Sequence, residues 1–90
     1  SKFGEERYFK ISKRIYAELD ERLAKTKYLS GDDYNISDIG TFPWIARHEW
    51  HDIGLINYQN LTRWYNDISK RQAVIKGFSF MDKKEVIPKP

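Results

Sequence analysis

The sequence predicts an all-α fold, a helical bundle of about four helices with a buried, kinked central helix, and three observations carry that expectation. Apolar residues recur three and four positions apart from Phe3 onward, a polar turn at 34–39 has the makeup of a helix start, and no stretch alternates apolar with polar residues as a half-buried strand would. With 90 residues and 16% aromatic side chains, the chain is long enough for one core and too apolar to stay disordered.

From Phe3 to Lys25, the residues Tyr8, Ile11, Ile15, Leu19 and Leu23 form one stripe, flanked by Phe9 and Tyr16. Lys10, Lys13, Arg14, Glu18 and Glu21 occupy the other side, and neither Gly nor Pro interrupts the run after Gly4. One long helix with its stripe turned to the core is expected. The run from Tyr28 to Asp33 ends it, because Gly31 can adopt positive φ without a Cβ clash and the aspartates suit turn positions.

The segment Tyr34 to Ile39 is the most informative. Asn35 can cap a new helix by accepting a backbone N–H from its first turn, and Asp38 can reach back to the Asn35 N–H while its charge meets the positive helix end. Tyr34 and Ile39 then stand at the two positions of a hydrophobic staple. A buried Asp38 also suits a catalytic role, but the capping box accounts for it, and the structural role is the expected one. Loss of that cap would cost ~1–2 kcal/mol.

The helix opened there, Ile36 to about Trp50, has Ile39, Gly40, Phe42, Pro43, Trp44, Ile45 and Ala46 nearly all round, which belongs at the centre of a bundle. Pro43 removes a backbone bond inside it and should bend it. After a loop to Asn60, the residues Leu61, Trp64, Tyr65 and Ile68 mark a further helix ending near Lys70 and Arg71. A short last helix around 73–77 turns Val74 and Phe78 inward. Residues 81–90, with Lys83, Lys84, Lys89, Pro88 and Pro90, are expected to form an extended or mobile tail, which leaves 1–80 as the helical domain.

Composition excludes several functions. Without cysteine the chain builds no disulfide, thiolate zinc site or cysteine nucleophile. No apolar run approaches the ~20 residues of a membrane span and the start lacks a signal-peptide pattern, so a cytoplasmic protein without a membrane partner is expected. Met81 is the one methionine, so a processed product or a piece of a longer chain is expected. The net charge of +3 divides into +3, −4 and +4 over residues 1–30, 31–60 and 61–90. No basic face is concentrated, and no cations interleave with Phe42, Trp44, Trp50, Trp64 and Tyr65 as a base-stacking platform would need. Those aromatics are expected in the core, with no nucleic-acid partner. His48 and His51 lack a third ligand and the His-Glu-x-x-His spacing, so they are expected at the surface and no metal is expected.

The run Tyr28-Leu-Ser-Gly-Asp-Asp-Tyr-Asn-Ile-Ser-Asp-Ile-Gly-Thr-Phe-Pro-Trp44 resembles the part of glutathione S-transferase C-terminal domains that ends the fifth helix and starts the sixth. Asn35 and Asp38 stand where that family has its capping residue and aspartate, with asparagine in place of the more usual serine or threonine. Leu55 to Val74 resembles the family's loop and seventh helix, with Trp64 at the recurrent tryptophan and Gln59 and Gln72 where prolines are common. Glu6-Arg7-Tyr8 together with Phe42-Pro43-Trp44 is most similar to the bacterial nu class, whose members reduce disulfides with glutathione.

The resemblance implies helices five to eight of a larger protein. The thioredoxin-like domain that holds most of the glutathione, and a fourth helix that lines the substrate site and builds a homodimer, would lie outside these residues. It implies a parent with glutathione as cosubstrate for conjugation to electrophiles or for disulfide reduction. For the chain alone it implies no catalytic residue, no cofactor and no activity. Arg7 is the implied glutathione contact, through two-point bonding to a carboxylate; Tyr8 beside it is expected in the core. The competing expectation is a non-catalytic, transferase-like protein-interaction module, whose partner would cover an exposed apolar face.

Overall fold

A computed structural model describes the backbone of residues 2–82 and 87–90 and the side chains of 2–77 and 87–90. Helix α1 spans Lys2–Leu23, α2 Ile36–Ile45, α3 His48–His51, α4 Gln59–Ser69 and α5 Gln72–Asp82, with one 3-10 turn at Leu55–Asn57 before α4. Among the described residues there is no strand, and the all-α architecture expected from the spacing is the one observed.

The core forms where α1 and α2 meet α4. Leu61, Trp64, Tyr65 and Ile68 lie on one side of α4 by their spacing and are all fully buried, against Tyr16 and Leu23 of α1 and Phe42 and Ile45 of α2. The Phe42 ring stacks on Tyr65 at 5.0 Å and tilts against Trp64 at 6.1 Å between ring centres.

The expected stripe of α1 is displaced around the helix. Its buried residues are Ser12, Tyr16 and Leu23, with Leu19 half-buried, whereas Tyr8, Phe9, Ile11 and Ile15 are between 36% and 54% exposed. The apolar arc of α1 is wider than one neighbouring helix can cover. In this chain α4 takes one edge of the arc and leaves the edge carrying Tyr8, Ile11 and Ile15 open.

The second correction concerns the central helix. α2 ends at Ile45, two residues after Pro43, which has no N–H to offer the Ile39 carbonyl; the chain then turns through Ala46 and Arg47 into the separate helix α3. Although apolar nearly all round, α2 buries only the side bearing Asp38, Phe42 and Ile45, while Ile36, Ile39, Gly40 and Pro43 face out. The innermost helix is therefore α4. Trp50, expected in the core, is 74% exposed and carries the Arg47 guanidinium over its ring at 5.1 Å.

Two side chains align α1 with α4. No side chain at Tyr58 caps α4; instead the Asp20 carboxylate of α1 accepts from the backbone N–H groups of Asn60 (2.8 Å) and Leu61 (2.9 Å). In return Arg63 of α4 donates to the carbonyl of Leu23 (3.0 Å), the last residue of α1, and to those of Thr26 (3.2 Å) and Lys27 (2.9 Å) just beyond it. Each helix supplies the end group that the other lacks.

The last helix is longer than expected and runs to Asp82; Val74 is half-buried against the core, and the Phe78 side chain lies outside the described residues. Ile87 packs on the core and the Pro88 carbonyl accepts from the Tyr65 hydroxyl at 2.5 Å, so residues 87–90 lie against α4; of the expected tail, 83–86 fall outside the described residues.

Replacing Asp20 by Ala leaves two amides at the start of α4 without an acceptor and is expected to cost about 1–2 kcal/mol, against less than about 0.5 for Glu21→Ala on the exposed side. Urea unfolding of the two variants compares them directly, and equal losses would show that Asp20 is not the cap of α4.

Candidate functional site

The polar centre of the fold is built from the start of α2. Asn35 Oδ1 accepts from the Ser37 N–H at 2.9 Å, and Asp38 Oδ2 accepts from the Asn35 N–H at 3.0 Å. The other Asp38 oxygen points away from its own helix. It accepts from the Leu29 N–H at 3.0 Å and from Trp64 Nε1 at 2.8 Å, and the residue is 0% exposed. Asp38 thus joins the turn after α1, the start of α2 and the middle of α4. A buried indole N–H requires an acceptor, which is the sequence signal that could have paired Trp64 with Asp38.

Tyr34 is held from elsewhere. The Arg71 guanidinium lies 3.6 Å from its ring centre and also donates to the Tyr28 hydroxyl at 3.1 Å, while the Tyr28 ring meets Tyr34 edge-on at 5.8 Å. Ile39 is 54% exposed. A cation and an aromatic edge thus add to whatever hold the expected Ile39 staple has on this ring.

Arg7 is exposed and makes no hydrogen bond or ion pair among the described residues. It lies one turn before Ile11 and next to Tyr8, at the border of the open apolar edge of α1. A free guanidinium beside an apolar strip can take a carboxylate attached to an apolar body. The structure does not bring Arg7 together with Asn35 and Asp38; they belong to separate parts of the molecule.

A second cluster was not foreseen. His48 and His51, expected at the surface, are 7% and 8% exposed. The short helix α3 turns them inward, His51 against Trp44 and Tyr16 and His48 edge-on to Tyr65 at 5.6 Å. The Tyr16 hydroxyl lies 2.7 Å from His51 Nδ1. Burial pushes the Tyr16 and Tyr65 hydroxyls above the usual tyrosine range, and burial, then His48 and Arg47, hold His51 below the usual histidine range. Tyr8, expected in the core, is more than half exposed, with its ring 6.3 Å from that of His51. Among the described residues no three His, Cys, Asp or Glu side chains stand close enough to hold a metal ion, and no helix is long and apolar enough to cross a membrane.

Residues 6–72 match the family described as glutathione S-transferase, C-terminal domain. The chain is 31% identical over 80 residues to the disulfide-bond oxidoreductase YghU of Escherichia coli K12, covering 79% of this chain and 27% of that protein. It is 34% identical over 68 residues to the disulfide-bond oxidoreductase YfcG of the same organism (76% and 32%), and 39% identical over 64 residues to its glutathione S-transferase GstB (69% and 30%). The chain therefore spans about a third of the length of these relatives. No solved structure matches the chain.

Substituting Asp38 by Ala leaves two buried donors, Leu29 N–H and Trp64 Nε1, without an acceptor in addition to removing the cap. The expected loss is about 3–5 kcal/mol, more than a cap alone contributes. Asp38→Asn keeps an acceptor oxygen and is expected to lose less. Denaturant unfolding followed by tryptophan fluorescence tests the ranking, and an Asp38→Ala loss no larger than that of an ordinary cap would remove the hub role.

Proposed function

Since this chain belongs to the glutathione S-transferase C-terminal domain family, we propose that it forms helices five to eight of a nu-class-like protein that uses glutathione to reduce disulfides or to conjugate electrophiles. Two relatives bear the name disulfide-bond oxidoreductase and a third that of glutathione S-transferase, which supports both halves of this reading. The observation that carries it is the unpaired Arg7 beside the uncovered Tyr8, Ile11 and Ile15 edge of α1.

In this reading a thioredoxin-like domain and a preceding helix cover that edge, and glutathione lies where the domain meets α1. Arg7 takes a glutathione carboxylate through its guanidinium fork. Lowering the thiol pKa of glutathione requires a hydrogen bond from the other domain, so the 90-residue chain by itself has neither activity nor a use for a cofactor. The parent is a cytoplasmic homodimer. Asn35 and Asp38 act structurally, and 1–80 is the domain that they hold together.

The same open edge also favours a second reading, a non-catalytic interaction module in which a protein partner covers Tyr8, Ile11 and Ile15. Glutathione titration separates the two. The parent binds glutathione and the isolated chain does not, and Arg7→Ala in the parent weakens binding about 10-fold, the loss of one charge-assisted contact, without moving the melting temperature. Binding by the isolated chain as tight as by the parent would overturn the proposal, and no binding by either would favour the module.

A further inference from the structure

Neither the Asp38 centre nor the proposed glutathione contact uses the histidine and tyrosine cluster around α3. Tyr16 is completely buried, and the one partner of its hydroxyl among the described residues is His51 Nδ1. With no other acceptor in reach, the Tyr16 O–H donates to Nδ1, and the neutral His51 ring carries its proton on Nε2. Ring centres of Trp44 at 4.4 Å, Tyr16 at 5.7 Å and Tyr8 at 6.3 Å surround the imidazole. On the same short helix, His48 has a buried Nε2 with no hydrogen-bond partner among the described residues.

Among the described residues no carboxylate is bonded to either histidine, although Glu49 is close enough to act on Tyr65, the ring that His48 meets. The titratable rings packed around them are Tyr8 and Tyr16 from α1, Tyr58 before α4 and Tyr65 within it; α2 contributes the uncharged Trp44. The segment's own charges are Arg47, Glu49 and Asp52, and among the described residues neither histidine is in an ion pair. A proton added to His51 turns Nδ1 into a donor. The Tyr16 oxygen can accept it, but the hydroxyl hydrogen then loses its acceptor in a fully buried place, and a cation stands beside Arg47 and His48.

The segment able to relieve this is α3 itself. It is four residues long, and it ends at Asp52 in the left-handed region with φ 53°, followed by Gly54 at φ 86°. We propose that α3 is an acid-released latch: on proton uptake at His51, residues 47–54 leave Tyr16 and Tyr65 and open the aromatic interior between α1 and α4, while the bundle held by Asp38 stays folded. The sign follows from His51, whose proton affinity is lowered by folding. Its contribution is fully present above the unfolded histidine value of about 6.5 and is lost as pH falls through the lower folded value.

Amide exchange of the 90-residue chain, corrected for intrinsic rates, tests the latch between pH 7 and pH 5. Protection of residues 50–52, whose amides donate to Arg47 and His48 carbonyls, is expected to fall at least about 10-fold while α4 keeps its protection, and the fluorescence of Trp44, which lies on His51, should change with the same midpoint. In the variant His51→Asn, whose amide oxygen stands near the place of Nδ1 and can still accept from Tyr16, the drop should disappear. Protection of 50–52 that is constant over this range, simultaneous loss in α4, or an unchanged drop in the variant would each overturn the proposal. Should the variant fail to fold, proton NMR titration of His51 in the unaltered chain decides: protonation of His51 without loss of protection at 50–52 overturns it.

Discussion

Three donors from three parts of the chain converge on the Asp38 carboxylate, and the rest of the bundle is arranged around that point. The Asn35 amide fixes where α2 begins, the Leu29 amide fixes how the turn after α1 approaches it, and the Trp64 indole fixes the rotation of α4. A buried carboxylate is unfavourable unless its oxygens are satisfied, so these three segments must come together before any of them is comfortable in the interior. Trp64 then brings Phe42 and Tyr65 into ring contact, and the apolar core follows from the polar one.

Small domains bury a modest fraction of their surface, and this chain leaves part of its apolar surface uncovered. Its tertiary geometry therefore relies on directional contacts more than a larger core would. Asp20 and Arg63 answer the unsatisfied ends of each other's helices, and Arg71 joins the end of α4 to Tyr28 and Tyr34. The open edge of α1 and the outward side of α2 are the apolar surfaces that these contacts leave uncovered.

Local chemistry was legible in the sequence, and contacts between distant residues were not. The helices around Tyr16, Phe42 and Trp64 follow from spacing, and the polar turn before α2 from the residue types at 34–39, because those signals act within one or two turns. The phase of α1 is not legible in the same way, because Tyr8, Ile11 and Ile15 are as apolar as the residues that are buried, and spacing alone does not say which edge of a wide arc meets a neighbour. Asp20 lay in the buried phase near Leu23, a charge where none belongs without a partner, yet its partners stand 40 residues away. For the histidines, a position near a helix end does not mean exposure, because α3 turns them inward.

The reciprocal capping by Asp20 and Arg63 has an implication for how the molecule tolerates change. Because the alignment of α1 with α4 is set by side chains reaching across, the length of the intervening connection is not what aims one helix at the other. Asp32 and Asp33, exposed between the Leu29 contact and the start of α2, are where an inserted or deleted residue would disturb least. A change of loop length at that point would leave the pairing of α1 with α4 in register.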